Sequence, residues 1–291
     1  MMPKVSVLTP LYNTNKVHLQ EMIASVLEQS FQDFEFILLN DSPENKEIEQ
    51  IVKSYKDKRI RYYCNERNLG ISASRNKLID LAKGEYLAIC DHDDISVPDR
   101  FEAQVAYLDK NPAVGVVSGL CEVFGGGTHV FQQHPEFDLD IKIHLTKGCY
   151  LAHPASMIRK SVLLSNDICY NERYSPAEDY KLWEDLIDVT NFYNLQKVLL
   201  KYRSFDANTS VLQNRIMIEA SRKIQLEIRD KHPSYYDEIS REIPLSEKTS
   251  EKVYYKLFGI VPLIKITKNK VYLFNIVPLL TIRRKTCRSP R

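Results

Sequence analysis

The chain has no C-x-x-C pair, no apolar run approaching the ~20 residues of a membrane-spanning helix, and no Asp or Glu between Lys252 and Arg291. Each absence narrows the field. The six cysteines (Cys64, Cys90, Cys121, Cys149, Cys169 and Cys287) are scattered, as in a reduced cytosolic chain, and Cys90 lies in the apolar run 86–90 where free thiols act as small hydrophobes. The first residues run directly into the apolar stretch 5–8, which reads as a strand rather than a secretory leader, so a cytoplasmic location is expected. Ten of the 40 Lys and Arg fall in 252–291 with none of the 38 acids, so residues 1–251 carry a net −8 within a chain of net +2. An acidic body with a basic, apolar tail is not a nucleic-acid binder's footprint; it is closer to that of a protein resting on an anionic membrane.

What is present is enough for one α/β core with an appendage: 291 residues, 44% hydrophobic and 27% charged. Apolar runs at 5–9, 34–39, 60–64, 85–90 and 114–119 read as strands, and amphipathic segments at 19–27, 47–55, 73–82 and 99–108 as helices. Ser72 reads as an N-cap, Gly84 as a helix stop, and Pro98 as a first-turn residue. This alternation predicts a mostly parallel sheet covered on both faces, with ligands beyond the carboxyl ends of its strands. Further on, a turn is expected at 125–127, a helix from near Ala177 through 182–187, a strand at 198–202 and a helix at 216–229. The composition shifts after Pro244; a catalytic domain of 1–214 is expected, divided near residue 124, followed over 215–291 by a helical extension with a basic, apolar tail. The tail echoes itself, Leu257-Phe-Gly-Ile-Val-Pro-Leu263 recurring as Leu273-Phe-Asn-Ile-Val-Pro-Leu279, too few copies for a solenoid.

The strongest chemical signal is Asp91-His92-Asp93-Asp94, directly after the fourth strand. Clustered carboxylates repel one another and want a counter-charge, and hard oxygen ligands suit Mg²⁺ or Mn²⁺ sharing a substrate's phosphates. An acidic loop capping the next helix is the alternative. The second strand ends in Asn40-Asp41-Ser42, where Asp41 reads as a base- or ribose-binding acceptor or as a turn residue before Pro43. Asn65-Glu-Arg-Asn-Leu-Gly70 precedes the helix carrying Arg75, a place for pyrophosphate or for a surface ion pair. His129, His134 and His153 read as ligands or as satisfied structural histidines, and the paired tyrosines at 62–63, 235–236 and 254–255 as sugar-stacking faces or, more commonly, as packing.

Pro10-Leu-Tyr-Asn13, Asp41-Ser42, Asn68-Leu-Gly70 leading to Ala73-Ser-Arg75-Asn76, Asp91-His-Asp93-Asp94 and Glu178-Asp179 stand in the order and spacing of family 2 glycosyltransferases. The chain resembles that family over about residues 4–210, including Tyr202-Arg203 and Ser210 as a downstream motif. The resemblance implies an inverting enzyme of GT-A fold that uses Mn²⁺ or Mg²⁺ and a nucleotide-sugar donor, UDP preferred. It also implies roles: Pro10, Tyr12, Asp41, Asn68, Arg75, Asp91 and His92 at the nucleotide-sugar, Asp93 with Asp91 at the metal, and Asp179 beside Glu178 as catalytic base. Asn40-Asp41-Ser42-Pro43 departs from the family's acidic pair followed by Gly-Ser, and His92 is uncommon in the acidic cluster. Asp179 also reads as a first-turn helix acid.

The expected acceptor is a glycan or lipid-linked glycan of a bacterial surface polysaccharide, lipopolysaccharide or capsule. A sugar-nucleotide pyrophosphorylase is disfavoured because residues 10–15 lack a Gly-rich basic loop, with only Lys16 beside them. A non-catalytic binding module has no need of Asp91, Asp93 and Asp179 together, and a processive synthase generally carries membrane spans. The tail is expected either as a peripheral anchor on the inner membrane's cytoplasmic face or as apolar repeats packed on the core.

Overall fold

The computed structural model describes residues 2–125, 130–205 and 214–242, together with four short strands between 253 and 281. Strands β1 (Val5–Leu11) and β2 (Phe34–Asn40) are buried at every residue, as strands covered on both faces must be. Helix α1 (Lys16–Leu27) joins them, its N-terminus capped by Asn15, whose side chain accepts from the Val17 and His18 N–H groups. Helix α2 (Lys46–Ser54), β3 (Ile60–Cys64), α3 (Ile71–Leu81) and β4 (Tyr86–Ile89) continue the alternation. These four strands lie parallel in the order β3-β2-β1-β4.

The chain then passes through β5 (Ile95–Ser96), α4 (Arg100–Lys110), β6 (Val114–Phe124), β7 (Val130–Phe131) and α5 (Asp138–Leu145). It continues through β8 (Met157–Arg159), α6 (Lys160–Ser165), α7 (Glu178–Leu186) and β9 (Asn191–Arg203). Beyond β4 the sheet runs β8-β6-β9-β5, and here its direction is mixed. Strand β8 is antiparallel to both β4 and β6, whereas β6 and β9 pair in parallel. The expected parallel alternation thus ends at β4.

Period-two alternation along the central strands sorts the core into two layers. Leu8, Ile37, Leu39 and Ile89 pack with Leu78 of α3 and Trp183 of α7. Val7, Phe36, Leu38 and Ala88 pack on the opposite side with Leu19 and Ile23 of α1 and Phe101 of α4. Helix α8 (Asn214–Lys231) adds Met217, Ile224 and Ile228 to the Trp183 layer, so the chain after residue 214 contributes to the same packing.

Three local readings need correction. Helix α3 begins at Ile71 after Gly70, and Ser72 is a buried residue of its first turn rather than the cap. It ends at Leu81, before Gly84; a Cβ on Gly84 would stand 2.5 Å from the Ser6 nitrogen, so that glycine admits β1 at close range. Asp99 occupies the cap of α4, leaving Pro98 one residue outside the helix. The extension expected as helical continues through α9 (Pro233–Glu242) and then forms strands β10 (Val253–Leu257), β11 (Val261–Thr267), β12 (Lys270–Leu273) and β13 (Val277–Thr281), paired antiparallel in that order. No helix among the described residues is long and apolar enough to cross a membrane.

Candidate active site

The carboxyl end of β2 delivers Asp41, which is 4% exposed. One carboxylate oxygen accepts from Asn65 Nδ2 at 2.7 Å and the Leu69 N–H at 2.8 Å; the other accepts from the Gly70 N–H at 2.9 Å. Asn68 Oδ1 also accepts from Gly70 N at 2.8 Å. Gly70 has φ of 85°, left-handed backbone that glycine adopts without strain, and it launches α3. Asp41 therefore organises the turn that aims α3. Pro10 is buried at the end of β1, while Tyr12 is half exposed and Asn68 is exposed.

One turn into α3, Arg75 is buried and reaches in two directions. Its Nη2 pairs with Asp91 Oδ1 at 3.1 Å and its Nη1 with Glu178 Oε1 at 2.6 Å. Burial works against its charge, but Asp91 and Glu178 outweigh burial and raise its pKa. The guanidinium stands 5.5 Å from the Tyr170 ring centroid, and a small pocket is lined by Leu8, Pro10, Arg75, Leu78, Ile89 and Tyr170.

The loop after β4 is short of counter-charge. Burial raises the pKa of Asp93; Asp91 raises it further and His92 opposes. Asp94 is pushed well above its ordinary value by burial and then by Asp93 and Asp91; its Oδ1 accepts from Arg203 N at 2.8 Å while its buried Oδ2 lacks a hydrogen-bond partner. Arg203 grips the loop again through Nε to the Asp93 carbonyl at 2.8 Å. Nδ1 of His92 is also buried without a partner. Among the described residues no group of three or more His, Cys, Asp or Glu side chains is placed to hold a metal ion by itself. A pair of mutually repelling carboxylates does fit a hard divalent ion that keeps waters and takes its other ligands from a substrate phosphate.

Asp179 opens α7 beside Glu178. Desolvation and then Glu178 push its carboxyl up to about 7, with Arg75 opposing. Its Oδ1 accepts from the Tyr180 N–H at 2.7 Å. Glu178 is 5% exposed, and its second oxygen is buried without a partner. The structure thus gathers Arg75, Asp91, Glu178 and Asp179, and keeps Asp41 and Asn68 together at the foot of α3.

Other candidates take quieter places. His153 is buried, its Nε2 lies 2.8 Å from the Tyr170 hydroxyl, and burial followed by Arg75 lowers its pKa well below the ordinary value, so it is a neutral structural group. His134 contacts Gln132 at 3.2 Å; His129, Ser210 and residues 126–127 lie outside the described residues, as do the side chains of 254–255. Tyr62 bonds Asn40, Tyr63 bonds Arg61, and Tyr235 stacks on His232.

Sequence reasoning passed over two cations and a histidine. Arg100, fully buried, donates to the carbonyls of Ile89 at 2.7 Å and Ser156 at 3.2 Å, underpinning the strand end from which Asp91 projects. Arg203 was noted only as part of a downstream motif, with no hint of its hold on the acidic loop. His18 lies on α1, its pKa lowered by burial and then by Arg203, with Asp93 opposing. Only the buried Arg100 left a signal, as a cation on the helix face that carries Phe101, Val105 and Leu108 beside Gln104.

A family model for glycosyl transferase family 2 matches residues 6–165. An uncharacterised glycosyltransferase of Methanocaldococcus jannaschii is 37% identical over 210 residues, 69% of this chain and 71% of that one. An uncharacterised glycosyltransferase of Haemophilus influenzae is 30% identical over 236 residues, 77% of this chain and 73% of its own. Among solved structures, residues 1–349 of Staphylococcus aureus TarS in complex with UDP-GlcNAc superpose with a TM-score of 0.62 at 20% identity, covering 84% of this chain and 77% of that one. The Pyrobaculum calidifontis mannosyltransferase PcManGT, in complex with GDP-Man and Mn²⁺, gives 0.56 at 13% identity, covering 85% and 78%. The curled sheet with helices on both sides is the GT-A fold. With the family model spanning more than half of its length, the chain belongs to glycosyl transferase family 2.

Proposed function

We propose that this glycosyltransferase moves a hexose or N-acetylhexosamine from a UDP-sugar to a hydroxyl of a growing surface glycan, lipopolysaccharide or capsule, with inversion at the anomeric carbon. The observation that carries the reading is the pairing of two unlike carboxylate sites: an under-neutralised loop at Asp91–Asp94, and Asp179 held near pKa 7. A carboxyl with that pKa is poised to take a proton at neutral pH. In the reaction Asp179 removes the acceptor hydroxyl's proton as the oxygen attacks the anomeric carbon and the bond to the UDP oxygen breaks. One base suffices for one displacement, which inverts configuration. Asp93 and Asp91 are the residues that would hold Mn²⁺ or Mg²⁺, which when bound supplies positive charge to the leaving diphosphate. Asp41 holds the turn beneath the nucleotide, with Pro10, Tyr12, Asn68 and His92 around the donor. UDP is favoured because the superposed TarS structure carries UDP-GlcNAc; Mn²⁺ in the mannosyltransferase structure agrees with a metal.

A screen of nucleotide sugars, read by nucleotide release, tests this. UDP release is expected from a UDP-sugar with Mn²⁺ and not with EDTA; equal release in both, or none from any UDP-sugar, overturns the reading.

The tail, with ten unopposed cations over 252–291, is proposed to rest on the anionic cytoplasmic face of a membrane, bringing the site to a lipid-linked acceptor. Each cation near such a surface contributes on the order of 1 kcal/mol before screening. The full chain should sediment with anionic liposomes at low salt and release at high salt, and a chain ending near residue 250 should not bind. Equal behaviour of the two would make the tail ordinary structure.

A further inference from the structure

Arg75 touches two segments far apart in sequence, and both touches are charged. Its partners, Asp91 after β4 and Glu178 at the start of α7, lie 16 and 103 residues away. The neighbouring residue reinforces the link: Asn76 Nδ2 donates to the Tyr170 carbonyl at 2.9 Å and Asn76 Oδ1 accepts from the Tyr170 N–H at 2.8 Å. The Tyr170 ring covers the Arg75 guanidinium, its hydroxyl meets His153, and His153 packs on Trp183 of α7 with ring centroids 5.8 Å apart. Helix α3 is thereby fastened to the start of α7 by an ion pair, and by a reciprocal amide pair to Tyr170 in the segment before it, whose ring leads on through His153 to Trp183. A guanidinium with both terminal nitrogens engaged and its stem buried is poorly placed to serve as a free phosphate ligand.

We propose that Arg75 is a positioning residue, tying Asp91 to Glu178 and through Glu178 fixing the place and electrostatic surroundings of Asp179. The proposal rests on Asp179 being the base and deepens that reading. Removing Arg75 leaves Glu178 buried and uncompensated beside Asp179, so Asp179 should hold its proton to higher pH. Removing the charge of Glu178 should have the opposite effect. The charged and titratable groups bearing on Asp179 are Glu178 on its own helix, Arg75 from α3, Asp91 from the loop after β4, and Tyr170 and Cys149 from the segments packed against them.

The test is a ¹³C NMR titration of the Asp179 carboxyl in the full chain without metal or nucleotide, alongside pH profiles of UDP-sugar turnover. Arg75→Gln should move the Asp179 midpoint up, and Glu178→Gln should move it down, each by about one unit or more. Arg75→Lys keeps a charge, so its midpoint should stay near that of the wild type; one ammonium cannot hold both carboxylates, so turnover should still fall about tenfold. Calorimetric affinity for UDP with Mn²⁺ should remain within about threefold of wild type in Arg75→Lys. Midpoints that do not move in opposite directions overturn the proposal. So does a loss of UDP affinity in Arg75→Lys as large as its loss of turnover, which would make Arg75 a nucleotide ligand. If Arg75→Gln does not fold, Arg75→Lys and Glu178→Gln decide. A wild type that neither binds UDP nor releases it from a donor would overturn the functional reading, while the titration would still judge the Arg75 linkage.

Discussion

Two acidic stations stand at the carboxyl ends of β2 and β4, one on either side of β1, and differ in how complete they are. Asp41, after β2, is surrounded by donors from its own chain, two backbone N–H groups and the Asn65 amide. After β4, Asp94 is buried and Asp93 partly so, with too few donors, and burial with repulsion from neighbouring carboxylates raises both their pKa values. A carboxylate whose hydrogen bonds are filled by the fold does structural work before any ligand arrives. A group left short of positive charge stores a demand that a cationic ligand can meet. The contrast separates residues that build the cradle from those that await what lies in it.

The largest expected effects fall on the unfinished station and on Asp179, whose carboxyl is likewise raised by burial and a neighbouring acid. Asp179→Asn keeps the shape but cannot take a proton, and turnover should fall on the order of 10²–10⁴-fold with UDP affinity little changed. Asp93→Ala should abolish the metal-dependent part of UDP binding in calorimetry while circular dichroism shows an intact fold. If Asp179→Asn keeps its turnover and Glu178→Gln loses it, the two acids exchange roles.

The next effect is on stability and tests the comparison directly. Asp41→Ala strands the Leu69 N–H at the foot of α3 and leaves the Gly70 N–H only Asn68 as acceptor, and should cost roughly 2–4 kcal/mol in denaturant unfolding. Asp93→Ala removes a carboxylate that the fold only weakly neutralises and should leave the metal-free chain as stable as wild type or more so. Equal destabilisation by both substitutions would erase the distinction between the stations.

How far these stations were legible in the sequence follows the same division. Strand ends in a parallel sheet fall at apolar-run boundaries, so Asp41 and Asp91–Asp94 could be located without coordinates. Their partners could not. Arg203 is 110 residues from the Asp93 carbonyl it grips, and no periodicity announces that a strand arginine will turn toward a loop. The sequence offers Arg75 for pyrophosphate or for an ion pair, and does not say that Glu178, 103 residues on, folds against it. Strand β8, three residues long, inserts antiparallel between β4 and β6, and a run that short carries too little pattern to reveal its direction. Ser72 looked like a cap because serine favours that position, but tertiary packing buried it and the Gly70 turn took the role.

The smallest expected effect concerns how protons and metal compete for the unfinished station. A carboxyl whose folded pKa is raised binds protons more tightly in the folded than in the unfolded chain. Its contribution to stability is therefore full below the unfolded value and lost as pH rises through the folded one. For Asp179 that window runs from its ordinary value of 3.8 to about 7, and the raised values of Asp93 and Asp94 act in the same direction. Metal-free protein should thus lose stability between about pH 4 and pH 7 from these groups. A divalent cation binds the ionised carboxylates, so it competes with protons and stabilises more at high pH. The gain in thermal midpoint from Mn²⁺ with UDP, relative to EDTA with UDP, should be larger at pH 8 than at pH 5, by the equivalent of about 1 kcal/mol. Asp93→Asn should flatten that pH dependence, because the amide neither titrates nor attracts the ion as a carboxylate does. Asp41→Asn should keep the pH dependence even as it lowers the midpoint at both pH values, since Asp41 is already occupied by the chain's own donors. A metal-induced gain that is identical at pH 5 and pH 8 in the wild type would mean that the cation is not bound by the carboxylates whose repulsion the fold leaves unanswered.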